Sequence, residues 1–324
     1  MLRPHGRLEL DAARLRRDHP PRIRDPQKRA IFDLSGGEAR IPRGTLVVTR
    51  WLPGDGNDAT RPSVRVGPQV STAGVDGPFT YPRAEEGVVA WHVNFADTHL
   101  FAFYGGPAFA QDEIQVAEHP LLASVRELLV SGAADIPPLT RDRDRPTPVL
   151  VRGVERWCAI DTDPELAQPY GIYGRRLGRA SVDALRQAVT RLDDAPPSNI
   201  LAIVAPQGAG QYSADDLRDI MVTATTGFAA AKLESAGARV RIHTGHWGTG
   251  AFGGNRVLMV AAQLAAARIA RVDDVAYHSL DEDGVRAYEQ GRAIANGYDE
   301  GASIEDVVAD LDARGFRWGS SDGN

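Results

Sequence analysis

A chain of 324 residues has room for one large domain or two small ones, and for a substantial buried core. Its 37 Lys and Arg against 43 Asp and Glu leave a net charge of −6, which argues against broad nonspecific affinity for nucleic acid while permitting a locally basic groove. Cys158 is the single cysteine, so no internal disulfide is expected and a reducing cytoplasm is the simplest setting; no apolar run reaches membrane-spanning length.

In chain order, residues 1–40 read as a basic N-terminal arm, carrying Arg3, Arg7, Arg14, Arg16 and Arg17 without the apolar core of a secretory signal. Leu8 to Arg17 suits one amphipathic helix, stopped by Pro20-Pro21 and Pro26. Residues 41–324 read as a single domain. Thr45 to Thr49 and Ser63 to Val66 are short β-branched runs around a loop at Gly54 to Pro62. Val88 to Phe95 is strand-like and breaks into a small-residue loop with Gly105-Gly106-Pro107, from which a helix opens with Gln111, Asp112 and Glu113 in its first turns. Leu121 to Val130 is helical, Arg141 to Arg145 is a solvated charged connection, and Val149 to Val151 and Trp157 to Ile160 are short strands. Tyr170 and Tyr173 sit in a glycine-containing loop followed by Arg175 and Arg176. Ile200 to Ala205 is continuously apolar, as in a strand covered on both faces. Ser213 caps a long helix to Ser235, then follow a strand at Arg239 to His243, a glycine loop, a helix at Arg256 to Ala270 capped by Asn255, a strand at Val275 to His278 and terminal helices. Strands alternating with helices predict a three-layer α/β sandwich.

Two stretches carry chemistry. Carboxylates in the first turn of a helix serve equally as N-terminal decoration and as an acid held beside unpaired N–H groups. The loop Thr244-Gly245-His246-Trp247-Gly248-Thr249-Gly250-Ala251-Phe252-Gly253-Gly254, entering a helix N-terminus, lets bare backbone N–H groups approach a phosphate. Gly248 to Gly253 is also a literal GxGxxG, with Asp273 and Asp274 about where a dinucleotide fold places its ribose-binding acid, so a nicotinamide-dependent oxidoreductase is the rival reading. The rival has no use for the upstream carboxylates. The eight histidines show no ligand spacing, so no metal is expected, nor any cofactor.

At these residues the chain resembles the poly(ADP-ribose) glycohydrolases, of the macrodomain fold. Val93-Asn94-Phe95-Ala96-Asp97 leading to Gln111-Asp112-Glu113 matches the family's Val-Asp-Phe-Ala-Asn element and its Gln-Glu-Glu. Thr244 to Gly254 departs from the family's second loop only at His246 and Thr249, and weaker landmarks extend the likeness over roughly Thr45 to Phe316. The resemblance implies a mixed central sheet with helices on both faces, and hydrolysis of the glycosidic bond at the anomeric carbon of ADP-ribose. Glu113 would be the general acid, with Asp112 beside it and Gln111 holding ribose hydroxyls together with Asp112. The diphosphate would lie on Gly248 to Gly254, with Gly245, His246 and Trp247 also binding substrate and Phe252 against the distal ribose. Asn94, Phe95, Ala96 and Asp97 would brace the ligand opposite, and Tyr173 would cover the adenine. The implied partners are ADP-ribose and ADP-ribosylated macromolecules; a noncatalytic ADP-ribose reader is the alternative. Phe101-Ala102-Phe103 stands where the family has three glycines, and His278-Ser279-Leu280-Asp281 where it has an aromatic turn, which leaves the group beyond the scissile bond open.

Overall fold

In the computed structural model, which describes residues 2–53, 65–162 and 171–321, helices flank both faces of an eight-stranded mixed sheet. The strands are β1 (Arg3–Asp11), β2 (Thr45–Leu52), β3 (Ser71–Asp76), β4 (Val88–Ala96), β7 (Val149–Val154), β10 (Ser198–Val204), β11 (Arg239–Thr244) and β12 (Asp274–Ser279), in the order β1-β2-β7-β10-β4-β11-β12-β3. From β10 to β3 the strands run parallel, while β1, β2 and β7 are antiparallel to their neighbours. Two small ladders lie outside: β5 (Arg141–Asp142) with β6 (Arg145–Pro146), and β8 (Cys158–Ile160) with β9 (Val189–Arg191).

One face carries α6 (Ala214–Glu234), α7 (Arg256–Ile269), α8 (Glu282–Asn296) and α9 (Ile304–Ala313), packed on Trp91, Val93, Leu201, Ile203, Ile242 and Tyr277. The other carries α1 (Ala12–Asp18), α3 (Gln111–Glu118) and α4 (Leu121–Val130) over Leu46, Val48, Val149, Ile200 and Ala202; α2 (Pro26–Leu34) and α5 (Val182–Ala188) form a satellite cluster with β8 and β9. Side chains of successive strand residues take opposite faces, so β10 can be apolar throughout and serve both layers. The three-layer sandwich is therefore as expected.

The N-terminal segment departs from the solvated arm. Arg7-Leu8-Glu9-Leu10 has period-two alternation, and Leu8 and Leu10 pack on the α1/α4 core while their backbone pairs with Leu46 and Val48 of β2. Pairing along β2 overrides the amphipathic-helix pattern, and helix begins only at Ala12. After α1 the segment stays attached, because the carbonyl of Gly105 accepts the N–H groups of Arg24 and Asp25 at 2.9 and 3.0 Å. Arg141 also departs from the solvated charge run, donating to both carboxylate oxygens of Asp219 on α6. Strand β3 has no sequence forecast; its Ser-Thr-Ala-Gly-Val-Asp is half-exposed at the sheet edge and offers no apolar alternation. The Gly54–Pro62 loop, Ser63, Val64 and Tyr170 lie outside the described residues, and Arg65 makes an isolated bridge to Ser303.

Candidate active site

The parallel strands β4, β10, β11 and β12 end at one edge of the sheet, and the loops leaving them enclose a cavity of about 580 Å³. Open α/β sheets place ligands in this crevice because helix N-termini and backbone donors converge there. Of the expected residues, Phe95, Ala96, Gln111, Asp112, Tyr173, the run Gly245 to Phe252 and Gly254 line it; Asn94, Asp97, Glu113 and Gly253 do not.

The glycine loop is held from behind. Gln263 of α7 donates to the carbonyl of Gly245 at 3.1 Å and takes the Thr244 hydroxyl, while the fully buried Trp247 donates its indole N–H to the carbonyl of Ile203 at 3.1 Å. Gly248 has φ +74°, and a Cβ there would stand 2.5 Å from that of Ala205, so this turn needs glycine for both conformation and space. Within the loop the N–H groups of Trp247, Thr249, Gly253 and Gly254 bond to loop carbonyls. Those of Gly248, Gly250, Ala251 and Phe252 have no acceptor among the described residues, and Asn255 caps α7 directly behind them. Four free donors at a helix N-terminus form an anion cradle. Tyr212 stacked on Trp318, with the Gly319 N–H on the Gly253 carbonyl at 2.7 Å, backs the loop with a C-terminal segment that has no sequence motif.

Across the cavity, α3 points its N-terminus at the same space. Gln111 clamps the helix to β4, donating to the Val93 carbonyl at 3.1 Å and accepting the Phe95 N–H at 2.8 Å, so its amide serves strand and helix rather than standing free. Asp112 is 6% exposed and accepts from the Asn94 amide at 3.0 Å. Burial, reinforced by the neighbouring Glu113 charge, pushes its carboxyl up to about 8. Glu113 lies behind the wall, at the third position of the helix, its Oε2 accepting the N–H of the N-cap residue Ala110 at 2.8 Å. Asp97 accepts the His99 N–H at 2.9 Å in the following turn.

The loop replacing the three glycines folds away from the cavity. Phe101 is fully buried in the left-handed region at φ +52°, and the carbonyls of Phe103 and Tyr104 accept from Lys28 Nζ at 3.0 and 3.1 Å. Lys28 is 3% exposed, and burial pushes its amine down to about 8 despite the Glu113, Asp25 and Asp112 charges nearby. Lying in the supposed arm, it carried no sequence signal.

Sequence reasoning also missed Phe79, Tyr81, Gln115, Glu118, Ile160, Thr162, Arg256 and Leu280 on the wall. Beneath them His92, His243 and His278 share one face of β4, β11 and β12: His92 stacks on His243 with centroids 4.4 Å apart, and His243 Nδ1 meets His278 Nε2 at 3.1 Å. Strand register could have paired His92 with His243, which are direct partners. Burial drives all three below the usual imidazole range, and among the described residues no three His, Cys, Asp or Glu form a metal-holding group. His246 is likewise pushed down to about 4 by burial, which leaves it neutral at pH 7, without the imidazolium proton a general acid would use.

Residues 149–287 match the model of the poly(ADP-ribose) glycohydrolase catalytic region, of macro domain fold. The match covers less than half of the chain and is a likeness to that family. It contains the whole glycine loop, whereas the α3 carboxylates precede it. Among solved structures the chain is similar to the poly(ADP-ribose) glycohydrolase of Thermomonospora curvata (15% identity over 90% of this chain and 86% of that one, TM-score 0.43). It is also similar to that of Deinococcus radiodurans in complex with ADP-ribose (11%, 90% and 95%, TM-score 0.42) and to a Trypanosoma brucei macrodomain in complex with ADP (15%, 87% and 94%, TM-score 0.38). Superpositions this loose support no correspondence of residues. A sequence search of curated proteins finds no match. The dinucleotide alternative fails on geometry: Asp273 and Asp274 stand where β12 begins, about 17 Å of strand from the cavity edge, bound to Lys232 and Arg239.

Proposed function

We propose that the protein hydrolyses the glycosidic bond at the anomeric carbon of an ADP-ribosyl group, releasing ADP-ribose. The observation that carries this reading is one cavity with an anion cradle on one wall and, facing it, a buried carboxyl from a Gln-Asp-Glu helix start. The free N–H groups of Gly248, Gly250, Ala251 and Phe252 take the diphosphate, Phe252 packs against the distal ribose and Tyr173 covers the adenine. Cleavage through an oxocarbenium-like state needs a proton for the leaving oxygen and a water for the carbon, and the α3 carboxyls Asp112 and Glu113 supply the acid. The family resemblance assigns that part to Glu113. Substrates are ADP-ribosylated macromolecules; the buried thiol of Cys158 suits a reducing cytoplasm, and no helix among the described residues is long and apolar enough to cross a membrane.

Calorimetry against release separates the readings. ADP-ribose should bind, and adenosine, lacking the diphosphate, should bind at least tenfold more weakly; equal affinities remove the anion cradle. Binding with no release of ADP-ribose from any ADP-ribosylated substrate would make the protein a reader rather than a hydrolase.

A further inference from the structure

We infer that Arg256 is a further binding residue of the cavity, salt-bridging a phosphate of the bound ADP-ribosyl diphosphate beside the glycine loop. The inference rests on the ADP-ribose reading above. Charge is the first observation. Asp112 and Glu118 put carboxyls on the wall and the cradle offers neutral N–H groups, whereas both phosphates of a diphosphate are ionised at neutral pH. Among the described residues Arg256 is the one Lys or Arg lining this cavity. The buried Arg156 is already matched by Glu118 at 2.8 Å, so it brings no free charge to a ligand.

Geometry is the second. Arg256 is the first residue of α7, directly after the Asn255 cap, so its side chain leaves the helix end in front of which the free N–H groups of Gly248, Gly250, Ala251 and Phe252 gather. Its guanidinium donates through Nη1 alone, to Asp281 Oδ1 and Oδ2 at 2.7 and 3.0 Å. Nε and Nη2 have no partner among the described residues, and these two share one edge of the guanidinium plane, a fork that meets two oxygens of one phosphate. Leu280, next to Asp281, is also on the wall, which puts the ion pair at the rim of the cavity. With 40% of the Arg256 side chain and 49% of the Asp281 side chain exposed, the pair is open to water and contributes little to stability by itself. A cation in the first turn of a helix also opposes the helix dipole, and that turn of α7 holds no acidic residue to offset it. A bound anion removes that conflict: the backbone donors fix where the phosphate oxygens lie, and Arg256 supplies the charge.

Calorimetry of ADP-ribose and of adenosine on the full chain, as wild type and as Arg256→Met, at low and at high salt, tests the assignment. Arg256→Met should bind ADP-ribose about 10- to 100-fold more weakly, the worth of hydrogen bonds to a charged group, and should bind adenosine as wild type does. Added salt should weaken ADP-ribose binding by wild type more than by the variant, because the screened charge is gone from the latter. ADP-ribose affinity equal to that of wild type, or an equal loss for ADP-ribose and adenosine, would overturn the inference. Should Arg256→Met melt below the assay temperature, Arg256→Gln, which keeps a polar side chain at this half-exposed position, takes its place with the same two outcomes. Wild-type protein that binds no ADP-ribose fails the ADP-ribose reading itself, which is a different result.

Discussion

A carboxyl buried as Asp112 is costs the folded state stability at neutral pH, and the sign can be worked out. Its folded value of about 8 stands above the ordinary value of about 3.9, so between those pH values the native state binds more protons than the unfolded chain. Its contribution is fully present below about pH 4 and is lost as pH rises through 8. Asp112→Asn should therefore melt higher than wild type at pH 8, with the gap closing near pH 4, a stability gain obtained at the expense of turnover. Thermal denaturation across that range checks it, and a variant that melts lower at every pH would show that Asp112 is held ionised by partners. Lys28→Met acts in the other direction at pH 7: it strands the carbonyls of Phe103 and Tyr104, at about 1–3 kcal/mol, measurable by denaturant unfolding. Motif spacing made Asp112 and Glu113 legible as a pair. Which of them faces the cavity was not legible, because that depends on the Asn94 amide reaching Asp112 from a strand and the Ala110 N–H reaching Glu113 from a loop.

Among the elements, the strands that bury two faces were readable and the edge strands were not. β10 declares itself by an unbroken apolar run, and β4, β11 and β12 by β-branched or alternating cores; β1 and β3 depend on a neighbour's ladder more than on their own side chains. The glycine loop was legible because a turn with φ above zero and a 2.5 Å approach at Gly248 leaves only glycine as an answer. Gly248→Ala should weaken ADP-ribose binding by tenfold or more in calorimetry, since the added methyl must push the loop off Ala205. The β1 account predicts that deleting residues 2–11 exposes Leu46 and Val48 along the edge of β2. The truncated protein should melt well below wild type and tend to aggregate. An unchanged melting curve would restore the free arm.

For the whole molecule, the topology explains why motifs about 130 residues apart serve one cavity: β4 and β11 are parallel neighbours, so the loop after each opens at the same edge. The antiparallel half, β1, β2 and β7, lies on the far side of β10 and carries the helices that press α3 into place. Phe101 is turned into the core and Phe103 onto the surface, so neither lines the cavity, whose apolar wall includes Phe79, Tyr81 and Leu280. The measurement that tests the proposed cleavage most directly is the appearance of free ADP-ribose, followed by mass spectrometry, when purified protein is incubated with ADP-ribosylated protein, ADP-ribosylated nucleic acid and poly(ADP-ribose) in parallel. Catalytic release from at least one of the three is the predicted result; no release from any of them by protein that still binds ADP-ribose would contradict it.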